Sequence, residues 1–456
     1  MSKRPYLSAI VLIAFMQGTA SAQILGGGGL GGGGLGGLGG GGVGSTVGRV
    51  GNTVDQTLGG LSGPIGSALD PLNAGGPPTL DRVIQPFDVN TATPARVLDF
   101  RRQRLNALIR ANRNTLDRDG EGQPVRKGEL MVADPDPASL ALVQRAGFRL
   151  AADQRIGELG LRMVTLALPR GMNVREGLKT LRKIAPTLAA DFNHVFEPAG
   201  GALLPAAAAS LAATSSVRAG TRIAMIDGGV ASHPSMAQAA IEQRGFAGAA
   251  QPTGHGTAVG SLLVGNQGPF RGAARGAQLF VGDVYGGNPA AGSATTIVRA
   301  LAWAASKRPS VINISLVGPA NQTLARAIAA LQARGIAVVA AVGNDGPSAP
   351  PQYPASYPGV IAVTGVDAGN RALREAGRAL HLDYAAPGAD LVAATPGKGF
   401  VAVRGTSFAA PLVSARIAAT GSSALLAREA LPGKGRVGQG IVCGQCRTAP
   451  RAVGLK

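Results

Sequence analysis

Val311-Ile312-Asn313-Ile314-Ser315-Leu316, then a helical pattern over Thr323 to Ala333, then the apolar run Ile336 to Val342, together decide the fold class. Two short apolar runs joined through a helix read as parallel strands buried on both faces. A strand with one wet face would alternate apolar with polar residues. Working outward, Ile223 to Ile226, Gln278 to Val284 and Val360 to Val363 are further short apolar runs, and Thr295 to Ser306 is a further helical pattern. Strands alternating with helices argue an α/β domain whose parallel sheet carries helices on both faces.

Upstream of this domain the periods alternate differently. Val125 to Ala133, Phe148 to Asp153, Leu161 to Leu168 and Ala189 to Phe196 read as strands. Asp136-Pro137 opens a helix to Ala146, and Asn173 with Glu176 three residues on forms a capping box opening a second helix through Ile184. The order βαββαβ is that of a small α+β ferredoxin-like domain. Before it, Val97, Leu105, Leu108 and Ile109 fall at helical spacing, with Arg101, Arg102, Arg104 and Arg110 at the remaining positions. Such a basic face reads as the solvated side of a docked helix.

Composition bounds the rest. The 456 residues include 69 glycines and two cysteines; 45% are hydrophobic, 15% are charged, and the net charge is +19. That apolar content excludes a wholly disordered chain, and two cysteines exclude a disulfide framework or a multi-zinc scaffold. The charge comes without a zinc-finger, RNP or basic-zipper pattern, so no nucleic-acid partner is expected. Lys3 and Arg4, the apolar run Leu7 to Met16 and Ala20-Ser21-Ala22 have the three parts of a secretory signal peptide, which implies a secreted or periplasmic protein. The apolar run is too short for a stable membrane span. From Gly26 to Gly44, 15 of 19 residues are glycine, the composition of a flexible leader. The chain therefore divides into a signal peptide (1–22), a Gly-rich leader (23–94), a basic helix with the small domain (95–198), an Ala-rich linker (199–216), the α/β domain (217–442) and a tail (443–456).

Functional groups of an open parallel sheet gather at the carboxyl ends of its strands. Four segments place chemistry there: Ile226-Asp227-Gly228-Gly229, Gly254-His255-Gly256-Thr257, Val342-Gly343-Asn344-Asp345-Gly346 and Gly405-Thr406-Ser407-Phe408-Ala409-Ala410-Pro411. A serine, a histidine and an aspartate suffice for acyl transfer, the histidine taking the serine proton and the aspartate holding the imidazole tautomer. A nucleophile opening a helix meets a favourable N-terminal field, and an asparagine amide can bind the developing oxyanion.

These segments, in this order, resemble the subtilisin-like (subtilase) serine proteases. The spacings are 28 residues from Asp227 to His255, 89 to Asn344 and 63 to Ser407. His233-Pro234, the run Val311 to Leu316, Tyr353-Pro354-Ala355 and Ala386-Pro387-Gly388 carry the resemblance through about 217–442. It implies a subtilisin-like fold, Asp227, His255 and Ser407 as catalytic triad, Asn344 in the oxyanion hole, and a substrate cleft along Ser315, Leu316, Val317 and Gly318. It also implies a secreted endopeptidase made as a self-processed precursor, acting on protein or peptide substrates. The ferredoxin-like region would be a propeptide and intramolecular inhibitor, with Phe192 to Ala199 approaching the cleft and the Ala-rich joint as the processing region. The alternative is a catalytically silent surface or binding protein on the same scaffold. An α/β-hydrolase would need Gly-x-Ser-x-Gly and the order Ser, acid, His, neither of which is present.

Several positions depart from the family pattern. Gly228 replaces a hydroxyl residue after Asp227, Phe408 a methionine, Val317 a cleft glycine and Val342 an alanine. His194, His233 and His381 lack a partner pattern and read as structural. Cys443 and Cys446, in a Gly-rich tail of an exported chain, are a candidate local disulfide. Calcium often binds this family, but no ligands are identifiable, so no metal or other cofactor is assigned.

Overall fold

The computed structural model describes residues 92–200, 216–218, 220–397 and 399–455. The signal peptide, the Gly-rich leader up to residue 91 and the linker over 201–215 lie outside the described residues. Helix α1 (Pro94–Ala111) opens the described chain, capped by the Thr93 hydroxyl with Pro94 in the first turn.

The small domain follows. Strands β1 (Leu116–Arg118), β2 (Pro124–Ala133), β3 (Arg149–Ile156), β4 (Leu161–Ala167) and β5 (Ala189–His194) form one antiparallel sheet. Four of them lie side by side as β5-β2-β4-β3, with β1 against the start of β2. Strand β1 has no signal in the sequence, since three residues are too few for a period. Helices α2 (Pro137–Arg145) and α3 (Val174–Ile184) connect the strands, and both bonds of the Asn173–Glu176 capping box form. Side chains alternate across β2: Leu130 and Val132 face α3, while Met131 faces the large domain. A sheet buried on both faces has to be docked.

The large domain is built on seven parallel strands: β7 (Arg222–Asp227), β8 (Ala240–Gly245), β11 (Gln278–Asp283), β12 (Val311–Ile314), β14 (Ala337–Ala341), β15 (Ile361–Val366) and β16 (Tyr384–Pro387). Their order is β16-β15-β14-β12-β7-β11-β8. Short antiparallel pairs complete it: β9 (Asn266–Gln267) with β10 (Phe270–Arg271), β17 (Leu391–Ala394) with β18 (Phe400–Val403), and β6 (Glu197–Pro198) with β13 (Leu316–Val317). On one face Met225, Val281, Val339 and Val363 pack against α4 (Gly254–Val264) and α7 (Thr406–Thr420). On the other, Ala224, Ile226, Ile312 and Val338 pack against α5 (Ala294–Ser306) and α6 (Gln322–Ala333). Both sides of the central strands are apolar because both are buried, which is why they read as continuous runs, whereas the edge strand β8 is polar and largely exposed. The small sheet rests on α5 and α6, Met131, Ile156 and Met163 joining their core. Helix α8 (Ser423–Glu429) follows α7, and in the tail Cys443 and Cys446 lie at disulfide distance, their Cα atoms 5.1 Å apart. Among the described residues no helix is long and apolar enough to cross a membrane.

Candidate functional site

Strand β7 ends at Asp227, a carboxylate with no solvent exposure. Its Oδ1 accepts from the Gly228 amide at 2.7 Å and pairs with His255 Nδ1 at 2.9 Å; its Oδ2 is buried without a partner. His255 sits in the first turn of α4, whose cap Thr253 accepts from the Gly256 amide at 2.9 Å. The glycines around it are sterically required. A Cβ on Gly256 would stand 2.3 Å from the Gly228 carbonyl oxygen, and one on Gly228 would stand 2.3 Å from Thr253 Oγ1. The hydroxyl missing at position 228 thus gives way to the cap of the histidine helix.

Ser407 opens α7 after Gly405, whose φ of 143° is one that residues with a Cβ rarely adopt. Its Oγ donates to the Ser315 carbonyl at 3.2 Å, and His255 Nε2 is buried without a hydrogen-bond partner. Pro411, four residues after Ser407, has no N–H to give the Ser407 carbonyl. The Ser315 hydroxyl donates to that carbonyl instead, at 3.0 Å. Behind it, Asn313 Nδ2 donates to Ser315 Oγ and the Ser414 hydroxyl to Asn313 Oδ1, each at 3.0 Å. Asn313 and Ser414 escaped the sequence reading, although Pro411 was a visible sign that the Ser407 carbonyl would need another donor.

Asn344 follows β14 through Gly343, at φ 88°. Its Oδ1 accepts from the Thr406 amide at 3.0 Å, which leaves Nδ2 to donate to the carbonyl oxygen of Ala199. That carbonyl belongs to the end of the small domain. Residues 195–199 lie as a third strand in the cleft: the Phe196 amide donates to Gly292 O at 2.8 Å, and the Ala199 amide to Ser315 O at 2.9 Å. Glu197 and Pro198 pair with Val317 and Leu316. Gly318 lies under Phe196, where a Cβ would stand 2.5 Å from the ring. The buried Tyr285 hydroxyl donates to Phe196 O at 3.1 Å; its pKa is raised, by burial first and then by the nearby carboxylates Asp227, Glu197 and Asp283. Gly200 lies against the imidazole so closely that a Cβ there would meet His255 Nε2 at 2.5 Å. Ser315, Leu316, Val317 and Gly318, the expected cleft residues, all touch this strand, and Val317 also closes on Gly343, its Cγ1 3.2 Å from where a Cβ would sit.

Helix α1 corrects the sequence reading. Arg101 and Arg104 do not form a solvated face but enter the cleft region. Arg101 Nε meets Asp345 Oδ2 at 2.8 Å, and its Nη2 donates to Gln123 at 2.8 Å. Arg104 holds Glu197 through Nε and Nη2, both at 3.1 Å, and the same Nη2 reaches Asp345 Oδ1 at 3.0 Å. Burial works against the charge of Arg104, but the two carboxylates more than offset it and its pKa is raised. No local pattern marked Asp345 in advance. The other histidines bond elsewhere: His194 to Asp119 at 3.1 Å, His233 to Ser235 and Gly399, His381 to the Val360 carbonyl. Among the described residues no group of three His, Cys, Asp or Glu side chains converges to hold a metal ion.

The subtilase family model matches residues 218–425. The chain is 32% identical over 200 residues to subtilisin Savinase of Lederbergia lenta, covering 43% of this chain and 74% of the relative. With the alkaline protease of Alkalihalobacillus alcalophilus it is 32% identical over 200 residues, covering 43% of this chain and about half, 52%, of the relative. Among solved structures, fervidolysin of Fervidobacterium pennivorans matches with a TM-score of 0.59 at 18% identity, over 74% of this chain and 63% of that one, a likeness of fold.

Proposed function

This chain belongs to the subtilase family of serine peptidases, and from that premise we propose that it is an exported endopeptidase made as a precursor that cuts itself between Ala199 and Gly200. One observation carries the reading: the Ala199 carbonyl is held by the Asn344 amide while the Gly200 backbone lies against His255. A peptide bond in that position has its oxygen on a fixed donor and its nitrogen beside a base.

Ser407 Oγ leaves Ser315 O and attacks the Ala199 carbonyl carbon as His255 Nε2 takes its proton. Asp227 keeps the proton on Nδ1 and stabilises the imidazolium. The oxyanion receives Asn344 Nδ2–H and the Ser407 N–H. His255 returns the proton to the Gly200 nitrogen, the C–N bond breaks, and water hydrolyses the ester on Ser407. The same cycle serves protein and peptide substrates. After the cut, residues up to Ala199 stay in the cleft as an intramolecular inhibitor until they dissociate. Export rests on the signal-like 1–22, and the Cys443–Cys446 pair is a disulfide in that setting.

Intact mass and N-terminal sequencing of the full chain beside Ser407→Ala test this. Cleavage after Ala199 in the wild type only is expected. A wild type left whole, or a Ser407→Ala chain cut at the same bond, overturns the reading.

A further inference from the structure

Asp345 is a buried carboxylate adjoining the asparagine of the cleft. Its side chain is 4% exposed, and among the described residues both its oxygens bond only to guanidinium groups of α1. Both its chain neighbours are anchored: the Asn344 side-chain Oδ1 accepts from the Thr406 amide, and the Gly346 amide donates to the Glu375 carbonyl. The carboxylate therefore stays in place when its partners leave, and those partners belong to the segment that precedes the proposed cut. Departure of α1 takes both cations from this carboxylate, and a basic side chain bound beside it would replace them.

The strand in the cleft carries the wrong charge for this position. Glu197, the third residue before the Ala199–Gly200 bond, shares a strand face with Ala199. A single nitrogen, Arg104 Nη2, separates its carboxylate from that of Asp345, with 3.1 Å on one side and 3.0 Å on the other. Without Arg104, two carboxylates would face each other where little water screens them. An arginine or lysine at position 197 is longer than glutamate, and could place its own cation where Arg104 now lies.

We propose that Asp345 is a specificity-determining residue that selects substrates with arginine or lysine three residues before the scissile bond, and that in the precursor Arg104 supplies this cation because the tail carries Glu197. The proposal rests on the protease reading above. It adds a division of labour: the tail fits the cleft only together with α1, so its hold is lost once α1 moves away. Tail strands arriving in trans with an acidic third residue are disfavoured.

The self-processed enzyme is assayed on internally quenched peptides Phe-X-Pro-Ala-Gly with X as Arg, Gln or Glu. The expected kcat/KM order is Arg over Gln over Glu, spanning about tenfold to a hundredfold, collapsing to within about threefold in Asp345→Asn. Equal rates for the three peptides, or a preference for arginine only when it replaces the residue just before the cut, overturns the role of Asp345 and leaves the protease reading standing. No cleavage of any of the three peptides overturns the role of Asp345, while the self-cleavage that produced the enzyme keeps the protease reading. In the full chain, Arg104→Gln is expected to slow self-cleavage about tenfold, and adding Glu197→Arg to restore it. A double variant as slow as or slower than Arg104→Gln also overturns the proposal, and because rescue requires a folded chain, misfolding cannot imitate it.

Discussion

Two neighbouring residues of one strand meet two different kinds of wall. Phe196 is fully buried against Gly318 and beneath Tyr285, all supplied by the large domain itself. Glu197, one residue on, faces Asp345 through an arginine contributed by a helix more than ninety residues upstream. An apolar wall needs only shape and excluded water, so a domain can carry it permanently. A buried charge needs a partner at every moment, so its wall is complete only while something cationic is docked. On the proposed precursor reading, a groove that holds its own tail and later releases it is permanent on one side and conditional on the other.

The largest expected effects concern whether the tail is held as a substrate at all. Ser407→Ala should abolish cleavage after Ala199 in the full chain, and Asn344→Ala should slow it by about 10²–10³-fold, a magnitude that comes from subtilisin itself and is carried over to this relative. Intact mass against time reads both. A loss below tenfold for Asn344→Ala would mean that its bond to Ala199 is incidental.

Next comes the apolar wall. Phe196→Ala should weaken the hold of the cut tail by about 3 kcal/mol, or about a hundredfold in Kd, as measured by dissociation of the small domain from the processed enzyme. Gly318→Ala should weaken it by pushing on the same ring, since the new Cβ would stand 2.5 Å away. Combined with Phe196→Ala its effect should largely vanish, because the clash has no ring left to meet. Strict additivity would show that the two residues do not share a pocket.

The smallest effect lies at the base of the tail, where Asp119 holds His194. Burial works against the charge on Asp119, yet the His194 bond and the Gln123 and Glu121 amides outweigh it and lower its pKa. A carboxylate with a lowered folded-state pKa contributes its stability above the ordinary carboxylate range, and that stability is lost as pH falls through the folded value. Asp119→Asn in the Ser407→Ala chain should therefore lower thermal stability by about 1–2 kcal/mol near neutral pH and by much less in acid. An equal loss at both pH values would remove the charge from the explanation.

Much was legible beforehand because it is local. The strands at Val311 and Ile336, the capping box at Asn173 and the four glycine-flanked segments depend on short-range periodicity and turn sterics. Strand β1 was too short to leave a period. Arg101 and Arg104 were read as solvated because helical spacing reports which face is apolar, not whether a carboxylate 244 residues away in sequence will dock on the other face.

Local pattern is enough to specify an α/β domain after a βαββαβ unit, and to bring Asp227, His255, Asn344 and Ser407 forward as one candidate constellation, since each sits in a turn whose chemistry is written within a few residues. That Ala199 meets Asn344, that Gly200 rests on His255 and that Arg104 stands between Glu197 and Asp345 emerges only on folding. Those contacts join segments far apart in the chain, and side-chain charge carries no record in sequence of the partner that burial will bring to it.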